Sequence, residues 1–262
     1  MRNLILILGD QLNSDSAAFD GFDPSLDAVW MAEVAQESLK VWSSKPRIAF
    51  FLSAMRHFSG LLRDRGWAVF YRELMGSAGE WQGPSEPPLA CNAESFSAAL
   101  AEFSGRLKPE KWIMVEPGEW SVRKEITDAA TAAGIPLELR EDRHFLCTHA
   151  QFESHAEGRK QLRMEFFYRE MRQRYAVLMD KGKPEGGAWN FDSENRKSFG
   201  KGGPPLHLPP RRFVPDAITK RVIALVNERF AGHPGDLSLF EWPVTAEDAQ
   251  LALDDFIAHR LS

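Results

Sequence analysis

The sequence predicts an α/β fold: a parallel five-stranded sheet with flanking helices, followed by a helical and irregular segment. Three observations predict it. Short apolar runs alternate with stretches of helical periodicity through the first half, the pattern of βαβ units. The first run, Leu4 to Leu8, is aliphatic throughout and stops at Gly9, as a strand buried on both faces does. The alternation ends near Asp142, where a basic helical pattern and a Gly/Pro-rich stretch take over.

The elements follow in order. Leu4 to Leu8 is the first strand. Ala28 to Val34 (AVWMAEV) is the second, followed by a helical stretch through Trp42. Arg47 to Ser53 (RIAFFLS) reads as a third strand, and Met55, Phe58, Leu61 and Leu62 recur at helical spacing after it. That helix ends near Gly66, a C-cap residue. Trp67 to Tyr71 is a shorter strand, Gly76 to Cys91 a loop and Ser95 to Leu107 a helix. Lys111 to Glu116 (KWIMVE) is a strand broken by Pro117-Gly118, Glu119 to Ala133 a helix, and Ile135 to Arg140 a last short strand. Lys183 to Pro215 carries so many Gly and Pro residues that regular structure is not expected there. Asp216 caps a helix to about Phe230, and Thr245 opens a final one. The expected divisions are 1–141 as the α/β domain, 142–215 as an inter-domain segment, and 216–262 as the start of a truncated helical domain.

Composition bounds the function. The chain is 44% hydrophobic and 26% charged, an ordinary globular balance, and its net charge of −5 demands neither nucleic acid nor membrane. No apolar run approaches the roughly 20 residues of a membrane span, and no membrane partner is expected. The N-terminus lacks the pattern of a signal peptide. Two cysteines, Cys91 and Cys147, cannot form a disulfide framework or hold an iron–sulfur cluster, so a reduced, cytoplasmic setting is expected.

The polar residues at the expected strand ends form the candidate site. Gly9, Asp10, Gln11 and Leu12 follow the first strand. Glu33 and Glu37 follow the second, Ser53 follows the third, and Glu116 ends the strand at 111–116, with Glu119 at the next helix start. Open α/β sheets bind ligands at this edge. Acids and amides there suit the O–H and N–H donors of a polyol or a heteroaromatic ring. They repel phosphate, and neither a G-x-G-x-x-G after the first strand nor a P-loop motif is present. Taken singly, Gly9-Asp10 also reads as a turn and helix cap, and each glutamate as a solvated surface acid.

The second half carries a different signal. In GRKQLRMEFFYREMRQRY (158–175), Met164, Phe167, Tyr168, Met171 and Tyr175 fall on one apolar stripe. Arg159, Lys160, Arg163, Arg169, Arg172 and Arg174 outnumber Glu165 and Glu170. The stretch reads either as a phosphate-facing segment or as a solvated helix face with internal ion pairs.

LILILGDQL, SAMRHF (53–58), VEPGEW (115–120), GRKQLRMEFFYREMR and GGAWNFDSENR (186–196) together resemble the bacterial photolyase-related proteins. These form the iron–sulfur branch of the cryptochrome/photolyase superfamily, which includes prokaryotic (6-4) photolyases. The resemblance runs from residue 4 to about residue 258. It implies a Rossmann-like antenna domain binding 6,7-dimethyl-8-ribityllumazine at Gly9, Asp10, Gln11, Leu12, Glu33, Glu37, Phe51, Ser53 and Glu116. FAD and a 4Fe–4S cluster are implied only in a helical C-terminal half that this chain does not include. The antenna would pass excitation to that FAD and has no acid, base or nucleophile of its own. Arg159, Lys160, Arg163, Asp192, Asn195 and Arg196 are implied at the junction with the helical FAD domain or against damaged DNA; an inter-domain salt-bridge network is the alternative. A stand-alone lumazine- or flavin-binding module without DNA activity, and an unrelated nucleotide-binding α/β enzyme, are the competing functions.

Overall fold

A computed structural model describes residues 1–74, 94–104, 107–192, 198–203 and 209–260, and the backbone of 89–91. The chain divides into two compact units, one comprising 1–141 and 209–262 and the other 142–208.

The first unit is built on β1 (Asn3–Leu6), β2 (Ala28–Ala32), β3 (Val69–Leu74), β4 (Leu89–Cys91), β5 (Lys111–Val115) and β6 (Leu137–Arg140). All pair in parallel, in the order β4-β3-β2-β1-β5-β6. The five strands of four residues or more are the expected Rossmann-like sheet, and the three-residue β4 extends one edge of it. The order reverses between β1 and β5, the topological switch point where such sheets bind ligands.

Strand alternation divides the core. Ile5, Ile7, Val29, Met31, Ile113 and Val115 face one side, and Leu4, Leu6, Leu8, Trp30, Trp112 and Met114 the other. Helices α2 (Lys45–Asp64) and α7 (Ala217–Arg229) cover the first face, and α3 (Phe96–Ser104) and α4 (Trp120–Ala133) the second. Both faces are apolar because both are covered, which is why the strands read as continuous runs.

Two expectations are corrected in this unit. Arg47–Ser53 is not a strand: it belongs to α2, a 20-residue helix that begins at Ser44 with Pro46 in its first turn. Ile48, Ala49, Leu52, Met55, Phe58 and Leu62 make one buried helical stripe, and the local run RIAFFLS is too short to reveal its period. The loop expected over Gly76–Cys91 includes the edge strand β4 at its end, while residues 75–88 lie outside the described residues. The helix after β2 is the short α1 (Ala35–Leu39), which buries none of its residues.

Residues 209–262 group with 1–141, so the division expected at 216 is not the edge of a compact unit. The reason is burial: Val222, Leu225 and Val226 of α7, with Phe230, Leu237 and Phe240 after it, complete the core over α2. As expected, Asp216 caps α7, its carboxylate accepting from the Thr219 N–H at 2.8 Å. The Thr245 hydroxyl likewise accepts from the Asp248 N–H at 3.1 Å at the start of α8 (Ala246–Arg260). The second unit holds α5 (His149–Ala156), α6 (Met164–Tyr175) and the antiparallel pair β7 (Met179–Asp180) and β8 (Lys183–Pro184). The stretch from Lys183 is therefore not wholly irregular, since β8 and a 3₁₀ turn at Glu185–Gly187 open it. Among the described residues no helix is long and apolar enough to cross a membrane.

Candidate functional site

A cavity of about 200 Å³ lies at the carboxyl ends of β1, β2 and β5, around the switch point of the sheet. Leu8, Gly9 and Asp10 enter it from β1, Glu33 and Val34 from β2, Glu37 and Ser38 from α1, and Pro117 and Glu119 from the turn after β5. Helix α2 supplies Arg47, Ile48, Phe51, Leu52 and Met55, while Phe96 and Val122 close the other side. The walls are thus apolar and partly aromatic, with a few polar groups, as small-molecule sites are.

The polar groups are already organised. Glu33 is buried, and both of its oxygens are occupied. The Arg56 guanidinium donates to them from Nε at 2.8 Å and from a terminal nitrogen at 2.9 Å. The Tyr71 hydroxyl donates to Oε1 and the Leu74 N–H to Oε2, at 2.7 Å for the latter. A carboxylate offers about four acceptor positions, so Glu33 has none left for a ligand. The expectation that it accepts from a chromophore is corrected: Glu33 shapes the wall and its charge is spent on Arg56. Burial opposes the Arg56 charge, but Glu33, with Glu73 at 3.4 Å, outweighs that and holds the guanidinium pKa above its ordinary value. Burial pushes the Tyr71 hydroxyl well above its usual range, with the Glu33 charge adding to it. The Glu73 carboxyl is raised too, by burial first, against the pull of Arg56.

Glu37, on α1, lines the cavity. Lys40 donates to its Oε1 at 3.0 Å and stands 3.8 Å from Glu119 Oε2 and 3.5 Å from the Ser121 hydroxyl. One ammonium therefore serves two of the lining carboxylates and ties α1 to the start of α4. Partial burial works to lower the Lys40 pKa, but the hydrogen bond to Glu37 and the charges of Glu37 and Glu119 hold it above the ordinary lysine value.

Of the residues expected from the sequence, Gly9, Asp10, Glu33, Glu37 and Phe51 line the cavity. Gln11, Leu12, Ser53 and Glu116 do not. Gln11 is buried, and its amide N–H donates to the carbonyl oxygens of Val115 at 3.1 Å and Glu116 at 3.4 Å, pinning the β1 turn to the end of β5. Leu12 is partly buried and packs against the core on the α2 and α7 face of the sheet. Ser53 is fully buried within α2 rather than standing at a strand end, and Glu116 pairs with Arg123 at 2.6 Å. Gly9 is needed for close approach rather than for a turn: a Cβ there would stand 3.0 Å from Met55 Sδ and 3.6 Å from the Phe51 ring. Arg47 escaped the sequence reading because 47–53 reads as a strand, Ser43 lies ahead of α2 with no local signal, and Met55, though on the expected helix face, carries no polar group to mark it.

The second unit has its own groove, lined by Met164, Phe167, Tyr168, Met171, Trp189 and Phe191, with Arg172 and Asp192 among its polar groups. The expected apolar stripe of α6 is its wall. Arg172 is buried, donates to the carbonyl oxygens of Val177, Leu178 and Trp189, and lies over the rings of Tyr168 at 5.4 Å and Trp189 at 5.5 Å. Arg172 is therefore a framework residue, not a surface cation. Arg159, Lys160 and Arg163 are exposed; Arg159 donates to the His155 carbonyl and Arg163 to the Gln161 side chain at 3.4 Å. Asn195 and Arg196 lie outside the described residues. No group of three or more His, Cys, Asp or Glu side chains able to hold a metal ion occurs among the described residues.

Comparison with known proteins bears on this arrangement. Over 259 residues the chain is 42% identical to a (6-4) photolyase of Agrobacterium fabrum, covering 98% of this chain and 48% of that protein. It is 22% identical over 210 residues to the uncharacterized protein R852 of Acanthamoeba polyphaga mimivirus, covering 76% of this chain and 96% of that one. The chain thus spans about half the length of the Agrobacterium relative. The sequence profile of the deoxyribodipyrimidine photo-lyase-related proteins matches residues 5–242, and the chain belongs to that family.

Proposed function

We propose that this chain is the light-harvesting part of a photolyase-related flavoprotein of the iron–sulfur branch, with the cavity at the sheet's switch point as its antenna site. The observation that carries the reading is the cavity itself. It has an apolar and aromatic wall from α2 and β1, hydrogen-bonding acids at Glu37 and Glu119, and no glycine-rich phosphate cradle. That acceptor set fits 6,7-dimethyl-8-ribityllumazine, a flat ring carrying a polyol. When bound, the lumazine would absorb near-ultraviolet or blue light and supply the excitation energy that is handed on. The protein's part is to hold and dry the ring. Phe51, Leu52 and Met55 exclude water from one face, Glu37 accepts a donor from the ligand, and Glu33, its oxygens held by Arg56, fixes the floor. Excitation would pass to FAD in a helical half that also carries a 4Fe–4S cluster.

The relative named (6-4) photolyase supports a role in repair of damaged DNA or in light sensing. In that setting Arg159, Lys160 and Arg163 would meet backbone phosphates. Asp192, with Asn195 and Arg196, would sit at the junction with the helical half. A reduced, cytoplasmic setting is consistent with Cys147 as a free thiol. The test is uptake of 6,7-dimethyl-8-ribityllumazine by the purified chain, followed by the fluorescence of the ligand. Binding that Glu37→Ala weakens while circular dichroism stays unchanged supports the site. Full binding by Glu37→Ala places the ligand elsewhere.

A further inference from the structure

Helix α1 walls one side of the cavity and has solvent on the other. Glu37 and Ser38 line the cavity from it, while Gln36, Leu39 and Lys40 are exposed. The helix buries none of its residues. Apolar packing does not hold the segment either: Leu39, Val41 and Trp42 are 59%, 68% and 71% exposed. The walls from β1, β2 and α2, in contrast, are rooted in the core on either face of the sheet. A segment with so little buried apolar surface opens at low cost. Its two ends are fixed. Val34 is buried, and the Gln36 N–H donates to the Glu94 carbonyl at 3.1 Å. At the other end the His233 ring donates to the Ser43 carbonyl at 2.8 Å, and the Lys45 N–H to the Pro234 carbonyl at 2.7 Å. Between these anchors, the side-chain tie to the rest of the unit among the described residues is Lys40. Its ammonium pairs within α1 with Glu37 at 3.0 Å and reaches out to Glu119 at 3.8 Å and the Ser121 hydroxyl at 3.5 Å.

From this arrangement we infer that residues 35–42 form a lid on the cavity and that Lys40 is its latch, setting how fast the ligand enters and leaves rather than how tightly it is held. The inference rests on the reading of the cavity as a chromophore site, and it names the residue that controls exchange at that site. Opening separates Lys40 from Glu119 and Ser121 on α4, whereas the Lys40–Glu37 pair lies within α1 and moves as one body. The hinges are the fixed ends at Val34 and Ser43. Lys40 does not line the cavity, so it acts on the ligand's path and not on the ligand itself. The latch is weak by construction: its ion pair is long, and the Glu119 side chain is 64% exposed, so salt screens it. A lid held this loosely admits a ligand without disturbing the core, and its closure keeps water from the bound ring.

The experiment is stopped-flow fluorescence of 6,7-dimethyl-8-ribityllumazine with the full chain, following association on mixing and dissociation on dilution. If the ligand passes only through the opened lid, both rate constants scale with the open fraction. Loss of a partly exposed ion pair corresponds to about threefold in that fraction, so in Lys40→Met both rates should rise about threefold at low salt, while Kd, their ratio, stays within about twofold. Lys40→Arg should restore slow exchange. Added salt should speed both rates in the wild-type chain and leave those of Lys40→Met unchanged. Lys40 is exposed, and circular dichroism checks that the variants are folded. A rise in dissociation alone means that Lys40 acts through the contact between Glu37 and the ligand, and overturns the lid. Unchanged rates in Lys40→Met overturn the latch while leaving the chromophore site standing. A chain that binds no lumazine removes the chromophore site and the inference together.

Discussion

Replacing Glu33 with Gln is the sharpest perturbation of the site's foundation. The substitution keeps the shape of the side chain but removes its charge and turns one acceptor oxygen into a donor. In either orientation that donor faces the Arg56 guanidinium, now 2.8–2.9 Å from the carboxylate, and at the Oε2 position it also meets the Leu74 N–H, now at 2.7 Å. Arg56 is left buried with Glu73 alone, at 3.4 Å. Removing one partner of a buried ion pair costs about 3–5 kcal/mol, and the remaining contact to Glu73 argues for the lower end, about 3 kcal/mol. Against a total stability of about 5–15 kcal/mol that is a large fraction. In urea denaturation, at an m of about 3 kcal/mol/M, the midpoint should fall by about 1 M with the slope unchanged. Pairing Glu33→Gln with Arg56→Met should cost less than the two single changes added together, since the double variant leaves neither member of the Glu33–Arg56 pair buried without the other. A midpoint shift below about 0.3 M for Glu33→Gln would show that the network contributes little, and the account of a pre-set cavity floor would be wrong.

Other expectations follow from single contacts. Gly235 has φ +99° and a Cβ there would stand 2.7 Å from Pro46 Cδ, so Gly235→Ala should lower the melting temperature by several degrees through strain at the start of α2; an unchanged melt contradicts that packing. Gly9→Val should reduce ribityllumazine binding more than Glu37→Ala does, because its branched side chain meets Met55 and Phe51 at the cavity wall; wild-type affinity for Gly9→Val would contradict that close approach. Asp216→Ala should cost about 0.5–2 kcal/mol in chemical denaturation through loss of the α7 cap. The Asp216 carboxyl is held below the usual aspartate range: partial burial works to raise it, but the Thr219 N–H and hydroxyl and His57 outweigh that. Its stabilisation is therefore complete above the ordinary aspartate pKa and is lost as pH falls through the lower folded value, a dependence that Asp216→Asn should flatten in melts recorded between pH 2 and 5.

The strands at 28–32 and 111–115 were legible because their apolar runs are bounded by polar or breaker residues, and the ends of those strands gave Glu33 and the turn to Glu119. Arg47–Ser53 was not, because seven residues rich in aliphatic and aromatic side chains satisfy a buried strand as well as a buried helix turn. The period of α2 emerges only when Ile48 is connected to Met55 and Leu62. The state of Glu33 was out of reach for a different reason. Its partners Arg56, Tyr71 and Leu74 lie 23, 38 and 41 residues away; the parallel pairing of β2 with β3 brings Tyr71 and Leu74 to it, and the packing of α2 on the sheet brings Arg56. The same holds for α7, whose caps are visible locally but whose place over α2 depends on tertiary burial.

The most direct measurement of the central claim is energy transfer within the purified chain. Trp30 of β2 and Trp112 of β5 are buried in the two strands that border β1. Adding 6,7-dimethyl-8-ribityllumazine and exciting tryptophan should quench the tryptophan emission and raise the ligand's emission in a saturable way, and Glu37→Ala should shift the saturation to higher ligand concentration. Tryptophan emission that stays unchanged through excess lumazine, in a chain whose circular dichroism shows it folded, would contradict the assignment of the switch-point cavity as an antenna site.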